Sequence, residues 1–160
     1  MSDFEIFALP VAGGLLGIAP LPGRDGHREE DLATLRDWDP ALVISMTTGA
    51  EHSAHGMADL GRAFQAEGIA WVHFPVEDMS VPTTDQSEAW THVEQRTLSM
   101  LHSRSRVLIH CLGGCGRSGM AALRLMICAG ESPDVALNNL RAVRRCAVET
   151  AAQIHWACDT

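Results

Sequence analysis

The sequence predicts a fold of the α/β class, with a central, mainly parallel sheet that is flanked by helices on both faces. Short apolar runs alternate along the chain with longer segments of helical periodicity, which is typical of a sheet covered by helices. The run at residues 41–46 is predominantly apolar, as expected of a strand that is buried on both faces. Gly13 and Gly14 separate two apolar runs near the start, which indicates a hairpin at the sheet edge.

Turn and capping residues delimit the predicted elements. Strands are predicted at residues 5–9, 15–19, 41–46, 69–74 and 106–110, and residues 47–49 are expected to form a loop. Helices are predicted at residues 28–38, 57–67, about 83–103, 118–129, from 133 onwards and at 149–158. Thr83 and Asp85 are alternative caps of the third helix, because Gln86 and Glu88 follow them by three residues. Ligand sites in such sheets lie at the carboxyl ends of the strands.

Composition restricts the size and the partners of the protein. The 160 residues are 46% hydrophobic and contain no linker or repeat, so a single domain spanning residues 1–160 is expected. The formal net charge of −8 argues against nucleic acid, and against an anionic membrane, as the main partner. No apolar stretch approaches the ~18 residues of a membrane span, and no basic segment of the signal-peptide kind is present. We expect a monomer.

The segment at residues 110–119, HCLGGCGRSG, carries the chemistry. It joins an apolar run to a predicted helix, and a strand, a glycine-rich loop and a helix start in that order form a cradle for an anion. Cys111 lies inside the cradle, and Arg117 follows six residues later with a planar fork that matches two phosphate oxygens. A thiolate beside a bound phosphate, with a guanidinium opposite, indicates phosphoryl transfer through a phospho-cysteine intermediate.

Each position of this loop has an expected role. Cys111 must be ionised to attack phosphorus, and a helix N-terminus with a nearby cation favours the thiolate. Ser118 either donates its hydroxyl to the thiolate or caps the following helix. His110 is expected to order the loop through backbone bonds and not to act as the proton donor. The backbone N–H groups are expected to bind the phosphate, with the three glycines at φ > 0; the residues concerned are Leu112, Gly113, Gly114, Cys115, Gly116 and Arg117.

The pattern H-C-x5-R-S resembles that of the cysteine-dependent protein tyrosine and dual-specificity phosphatases. The chain as a whole is similar to the cyclin-dependent-kinase-associated phosphatases and their bacterial relatives. Three further stretches carry this narrower resemblance: Leu21-Pro22-Gly23, Phe74-Pro75-Val76-Glu77-Asp78 with Pro82, and Ala147-Val148-Glu149-Thr150 with Gln153. The resemblance implies a tyrosine-phosphatase-like fold and a protein phosphatase for phosphotyrosine, with phosphoserine and phosphothreonine left open. It also implies that no cofactor and no metal is needed.

The resemblance assigns a general acid and a residue that orients water. Asp78, on the loop that ends at Pro82, is expected to protonate the leaving oxygen and then to activate the hydrolytic water. Glu77 and Asp85 are competing candidates, and Asp78 as a solvated loop carboxylate is the alternative without function. Gln153 is expected to orient that water, the alternative being a polar residue on the exposed face of the last helix.

Other functions compete with that of a protein phosphatase. A P-loop nucleotide-binding site is disfavoured because no GKS or GKT follows the glycines, and a metal site because His110, Cys111 and Cys115 lack a fourth ligand. A phosphatase of a phosphoinositide, an RNA 5′ end or a small phosphate ester stays open. A rhodanese-like sulfur transferase and a catalytically silent phosphate-binding module are further alternatives, although neither explains the Cys111, Arg117 and Asp78 set.

The remaining cysteines bear on redox chemistry. Cys115 is expected to be a small buried filler, with a redox partner of Cys111 as the alternative. Cys128, Cys146 and Cys158 are expected to pack on helix faces. Five cysteines without framework spacing, one of them needed as a thiolate, favour a reducing cytoplasm.

Overall fold

A five-stranded sheet forms the centre of the computed structural model, which describes residues 1–160. The strands are β1 (Phe7–Val11), β2 (Gly14–Ala19), β3 (Leu42–Ser45), β4 (Ala70–His73) and β5 (Arg106–His110). Their order is β1-β2-β5-β3-β4; the β1–β2 hairpin is antiparallel and all other pairs are parallel. The predicted α/β class, the mainly parallel sheet and the edge hairpin are confirmed.

Seven helices follow or separate these strands. They are α1 (Arg28–Trp38), α2 (Gly49–Ala54), α3 (Leu60–Ala66), α4 (Ser87–His102), α5 (Gly116–Cys128), α6 (Pro133–Val143) and α7 (Ala151–Cys158). A short 3₁₀ turn, Thr84–Gln86, precedes α4, and the Thr83–Gln86 pair forms its capping box. Thr83 therefore caps the 3₁₀ turn, whereas Gln86 is the N-cap of α4 itself, so neither Thr83 nor Asp85 caps the long helix directly.

The expected loop after β3 is present at residues 46–48, but it ends one residue early, because helix α2, which was not predicted, begins at Gly49. Thr48 Oγ1 accepts a hydrogen bond from the Glu51 backbone N–H at 3.2 Å, and a Glu51 carboxylate oxygen accepts one from the Thr48 N–H at 2.9 Å. This reciprocal capping box satisfies two N–H groups that a helix start leaves without partners. The T-x-x-E spacing was visible in the sequence, but the helix has only six residues and no apolar periodicity.

The helices cover the sheet on both faces. Successive strand residues point to opposite faces. On β5, Leu108 faces the smaller core with α1 and α3, while Val107 and Ile109 face the larger one with α4, α5, α6 and α7. Because β5 is central and most of α5 is buried, the loop that joins them is held between two fixed elements at the carboxyl edge of the sheet.

Candidate active site

Two arginines hold the carbonyl groups of the β5–α5 loop. Arg24 Nη1 donates to the Leu112 carbonyl at 2.9 Å. Arg144 donates to the carbonyls of Gly113, at 3.0 Å, and of Gly114, at 3.1 Å. These guanidinium groups come from the segment after β2 and from the end of α6, 88 and about 30 residues away. Sequence analysis missed both, since nothing local marks an arginine that will bind a distant carbonyl.

The N–H groups of the same loop are left free to bind an anion. Residues 112–115 donate their N–H groups to no other protein atom. They lie at the N-terminus of α5, where the helix dipole adds positive potential. Cys111, which is 2% exposed, lies at the start of this loop, and its Sγ is 3.3 Å from Ser118 Oγ. The arrangement suits a nucleophilic sulfur facing a bound phosphate.

Gly114 is the one loop glycine whose backbone requires glycine. Its φ is +69°, and a Cβ there would lie 2.6 Å from the backbone atoms of Ala19 and Pro20. Gly113 and Gly116 do not adopt positive φ, so the expectation of a left-handed backbone is wrong for these two. The sharp reversal is confined to one residue because Gly116 already belongs to α5.

Arg117 is bound by a carboxylate that the sequence analysis did not single out. Glu51, from α2, accepts from Arg117 Nη1 at 2.7 Å and from Nη2 at 2.8 Å. The Val76 carbonyl accepts a further bond from Nη1 at 2.8 Å. Arg117 is 1% exposed, and its Nε has no hydrogen-bond partner among the protein atoms. A buried donor without a partner is costly, and a phosphate oxygen would satisfy it.

The charges of this pair are mutually dependent. Partial burial opposes the ionisation of Glu51, but hydrogen bonds from Arg117 and Thr48 and the charge of Arg117 outweigh it and lower the pKa of Glu51 to about 2. Burial likewise disfavours the charge of Arg117, but its hydrogen bond to Glu51 and the neighbouring anionic groups outweigh this, so its pKa is raised. Both groups are therefore charged at neutral pH.

Of the three carboxylates considered as general acid, only Asp78 forms an ion pair with Arg117. Its Oδ1 lies 3.4 Å from Arg117 Nη2 and accepts a bond from the Met79 N–H at 3.0 Å. Glu77 is exposed and makes no ion pair, and Asp85 lies exposed on the 3₁₀ turn before α4. Asp78 itself remains 64% exposed, which leaves its carboxyl accessible to a substrate.

Gln153 is fully buried, so its placement on the exposed face of the last helix is wrong. Its Oε1 accepts from the backbone N–H groups of Glu149, at 2.9 Å, and Thr150, at 3.2 Å. Its Nε2 donates to the carbonyl of Ser80, on the same loop as Asp78, at 3.4 Å. The side chain thus caps α7 and reaches the acid loop, and it also lies against the phosphate loop, since a Cβ on Gly116 would lie 3.0 Å from Nε2.

His110 is buried and bonded on both ring nitrogens. Nδ1 lies 3.3 Å from the Cys111 carbonyl, and Nε2 bonds to the hydroxyl of Ser45, which also accepts from Trp71 Nε1 at 2.8 Å. Burial lowers the pKa of His110 to about 3. The neutral imidazole therefore joins the nucleophile's own carbonyl to the neighbouring strand.

Cys115 forms a disulfide with Cys146, which joins the loop to the α6–α7 connection. Neither expectation for Cys115 holds, because it is not a free filler and its partner is not Cys111. Cys146 was expected on a helix face but lies between α6 and α7. The pairing joins residues 31 positions apart, which spacing alone could not reveal. Cys128 is half-buried on α5, and Cys158 is exposed at the end of α7 rather than packed.

An open groove of about 1080 Å³ runs beside the acid loop. Its apolar lining comes from Val76, Met79, Val81 and Pro82, and Met79 is 50% exposed. Nowhere in the chain are three His, Cys, Asp or Glu side chains grouped as metal ligands would be. None of the helices combines the length and apolar character that a bilayer crossing requires.

Comparison with known proteins identifies related sequences. The family described as "Polymorphic toxin system, DSP-PTPase phosphatase" matches residues 19–131. The curated mouse (Mus musculus) protein named cyclin-dependent kinase inhibitor 3 is 32% identical over 148 residues, which cover 88% of this chain and 69% of the relative.

Solved structures share the fold. A kinase-associated phosphatase whose catalytic-site cysteine is replaced by serine superposes with a TM-score of 0.85 at 25% identity, covering 98% of this chain and 93% of that one. The active form of Tk-PTP superposes with a TM-score of 0.74 at 24% identity, covering 96% of each chain, and shows similarity of fold alone.

Proposed function

Because the chain belongs to the cysteine-dependent dual-specificity phosphatases, we propose that Cys111 is the nucleophile with which it hydrolyses phosphate monoesters. The observation that carries this assignment is the loop geometry. The Cys111 sulfur stands beside free N–H groups and the Ser118 hydroxyl, and the buried Nε of Arg117 needs an acceptor. A bound phosphate satisfies these donors together.

In the first half-reaction the Cys111 thiolate attacks phosphorus. A sulfur–phosphorus bond forms as the bond to the leaving oxygen breaks, and Asp78 transfers its proton to that oxygen. The N–H groups of residues 112–117 and the Nε of Arg117 hold the equatorial oxygens, which is positioning together with electrostatic stabilisation. The Asp78 carboxyl, 3.4 Å from Arg117, stands beside the guanidinium that binds the phosphate.

In the second half-reaction water hydrolyses the phospho-cysteine. Asp78, now a carboxylate, removes a proton from the water, which attacks phosphorus and releases inorganic phosphate. Ser118 donates its hydroxyl to the leaving sulfur, from which it lies 3.3 Å. The amide of Gln153, buried next to Gly116 and the acid loop, orients the water.

The surroundings of the loop support one substrate class over the others. The groove beside Asp78 offers an apolar, open surface on which residues flanking a phosphorylated side chain can lie. The guanidinium groups of Arg24 and Arg144 bind loop carbonyls, so a lipid with several phosphates would find few free cations. We therefore favour phosphotyrosine in proteins, with phosphoserine and phosphothreonine as the open extension, over a phosphoinositide, an RNA 5′ end or a small ester.

Two further expectations belong to this proposal. A single domain over residues 1–160 is sufficient for the chemistry, since every proposed catalytic residue lies on one edge of one sheet, and we propose that it works as a monomer. A nucleophilic thiolate is best preserved in a reducing cytoplasm, where we place the enzyme.

The test is hydrolysis of para-nitrophenyl phosphate. We expect Cys111→Ser to lower kcat by about 10³-fold or more, because the nucleophile is lost, and vanadate to inhibit the wild type. A panel of phosphopeptides and phosphoinositides then ranks the substrates. Full activity in Cys111→Ser would contradict the assignment, and sulfur transfer from thiosulfate to cyanide would favour the rhodanese-like alternative.

A further inference from the structure

The Cys115–Cys146 disulfide joins two segments that serve different halves of the proposed reaction. Cys115 belongs to the phosphate-binding loop, and its Cα lies 5.2 Å from that of Cys146. Cys146 lies in the α6–α7 connection, only a few residues before Thr150, the N-cap of α7. The nucleophile, Ser118 and Arg117 lie on the loop side of this bond, and Gln153 lies on the other.

Hydrogen bonds hold the α6–α7 connection against the loop and against α6. The Cys115 carbonyl accepts from the Val148 N–H at 3.1 Å. Arg141 binds the carbonyls of Ala147, at 2.9 Å, and of Val148, at 3.0 Å. Val148 has a φ of +64°, which a β-branched residue adopts only when its surroundings impose it. The connection is thus kept in an unfavourable backbone conformation by contacts with the loop and with α6.

The position of the connection sets the position of Gln153. The N–H groups of Glu149 and Thr150, which follow Val148 directly, both donate to Gln153 Oε1. This fixes the side-chain amide, so that Nε2 points toward the Ser80 carbonyl on the acid loop. If the connection moved away from the loop, Gln153 would move with it, while Arg24 would still bind the Leu112 carbonyl and Glu51 would still bind Arg117.

We propose that the Cys115–Cys146 pair is a redox-dependent positioning element that holds Gln153 in place for hydrolysis of the phospho-cysteine. The inference rests on the proposed function. Cys146 is exposed, so a dithiol can reach the bond. Reduction transfers two electrons and two protons from the dithiol, which becomes a disulfide, and leaves thiols at Cys115 and Cys146. Disulfides of this exposed kind in a reducing cytoplasm are usually transient and regulatory.

The two half-reactions separate this role from a merely structural one. We expect the Cys146→Ala enzyme, in which the disulfide cannot form, to form phospho-cysteine at the wild-type rate but to hydrolyse it about tenfold more slowly. Rapid denaturation during turnover of a radiolabelled ester measures the fraction phosphorylated at Cys111, which we expect to rise as kcat falls. Dithiothreitol should produce the same change in the wild type and none in Cys146→Ala. Cys158→Ser, which removes an exposed cysteine, is the control and should respond like the wild type.

Three results would overturn the inference. They are free thiols at Cys115 and Cys146 in protein purified without reductant, as judged by peptide mass mapping; equal slowing of both half-reactions; and turnover that is indifferent to reduction. Reduction of the wild type keeps the test valid even if Cys146→Ala folds poorly. Absence of label on Cys111 under all conditions would instead refute the proposed function.

Discussion

Glu51 forms a two-point ion pair with Arg117, with both carboxylate oxygens within 2.8 Å of guanidinium nitrogens. The carboxylate binds Nη1 and Nη2 along one edge of the planar guanidinium, and Nε is left without a protein acceptor. Arg117 is thus oriented for a phosphate before substrate arrives. Preorganised donors of this kind cost no rearrangement during the reaction.

Glu51→Gln tests this orientation. The variant keeps the side-chain shape but loses the charge and one of the two acceptors, so Arg117 can rotate. We expect kcat/KM for a phosphate ester to fall about 10²-fold, the usual cost of misplacing a catalytic group. Steady-state kinetics provide the measurement. Asp59→Asn, which weakens the exposed Arg28–Asp59 pair, is the control and should leave kcat/KM unchanged.

The stability that Glu51 contributes depends on pH in a defined direction. Its pKa is about 2 in the folded chain, below the ordinary 4.5, so its contribution is complete above pH 4.5 and is lost as the pH falls toward 2. The stability difference between wild type and Glu51→Gln should therefore shrink in acid. A difference that grows below pH 4.5 in urea unfolding would refute the assigned pairing.

Asp78→Asn should slow the hydrolysis of esters with poor leaving groups most. We expect a loss of about 10²-fold or more with phenyl phosphate, because its leaving oxygen needs the proton, and a smaller loss with para-nitrophenyl phosphate. Glu77→Gln, on the same loop but without an ion pair to Arg117, is the matched control. Loss of activity in the Glu77 variant with none in Asp78→Asn would reverse the roles of the two residues.

Gly114→Ala and Gly113→Ala compare a loop glycine that the backbone requires with one that it does not. An alanine at 114 would need φ +69° and place its Cβ 2.6 Å from backbone atoms. We expect a melting temperature lower by about 4 °C or more. At 113 the nearest atom to a Cβ is the end of the Arg24 side chain, at 3.7 Å, so the shift should stay below about 2 °C. Equal shifts in thermal unfolding would count against this geometry.

The buried His110 should make the folded protein less stable on mild acidification. Its pKa is about 3 when folded and ordinarily 6.5, so below pH 6.5 the unfolded chain binds a proton that the buried imidazole does not. Stability should fall by up to about 1.4 kcal/mol per pH unit through this group. Burial and His73 also lower the pKa of His52, which adds to the slope.

Urea unfolding at several pH values between about 7 and 5 measures this slope. His110→Gln should be less stable at neutral pH but less sensitive to acid, while replacement of the exposed His155 by Gln should preserve the wild-type slope. Parallel curves for wild type and His110→Gln would show that the buried imidazole is not the group that titrates.

Local patterns in the sequence were enough to predict the fold class and the phosphate loop. The apolar runs of β3 and β5, the glycines before α5 and the Cys111-x5-Arg117 spacing lie within short segments, and each reflects constraints on neighbouring residues. Helix α2 was not predicted because six residues carry too little apolar periodicity, although the Thr48-x-x-Glu51 spacing of its capping box was visible.

The sequence by itself determined the order of strands and helices and the pairing of a cysteine with an arginine in one loop, because hydrogen bonding along the backbone and side-chain periodicity act over a few residues. Only the tertiary structure decided which distant groups surround that loop. Glu51 meets Arg117 across 66 residues, Arg24 reaches Leu112 across 88, and Cys115 bonds to Cys146 across 31. Such contacts depend on how the sheet and helices pack in space, and a residue's sequence neighbours carry no record of the segment that folding brings beside it.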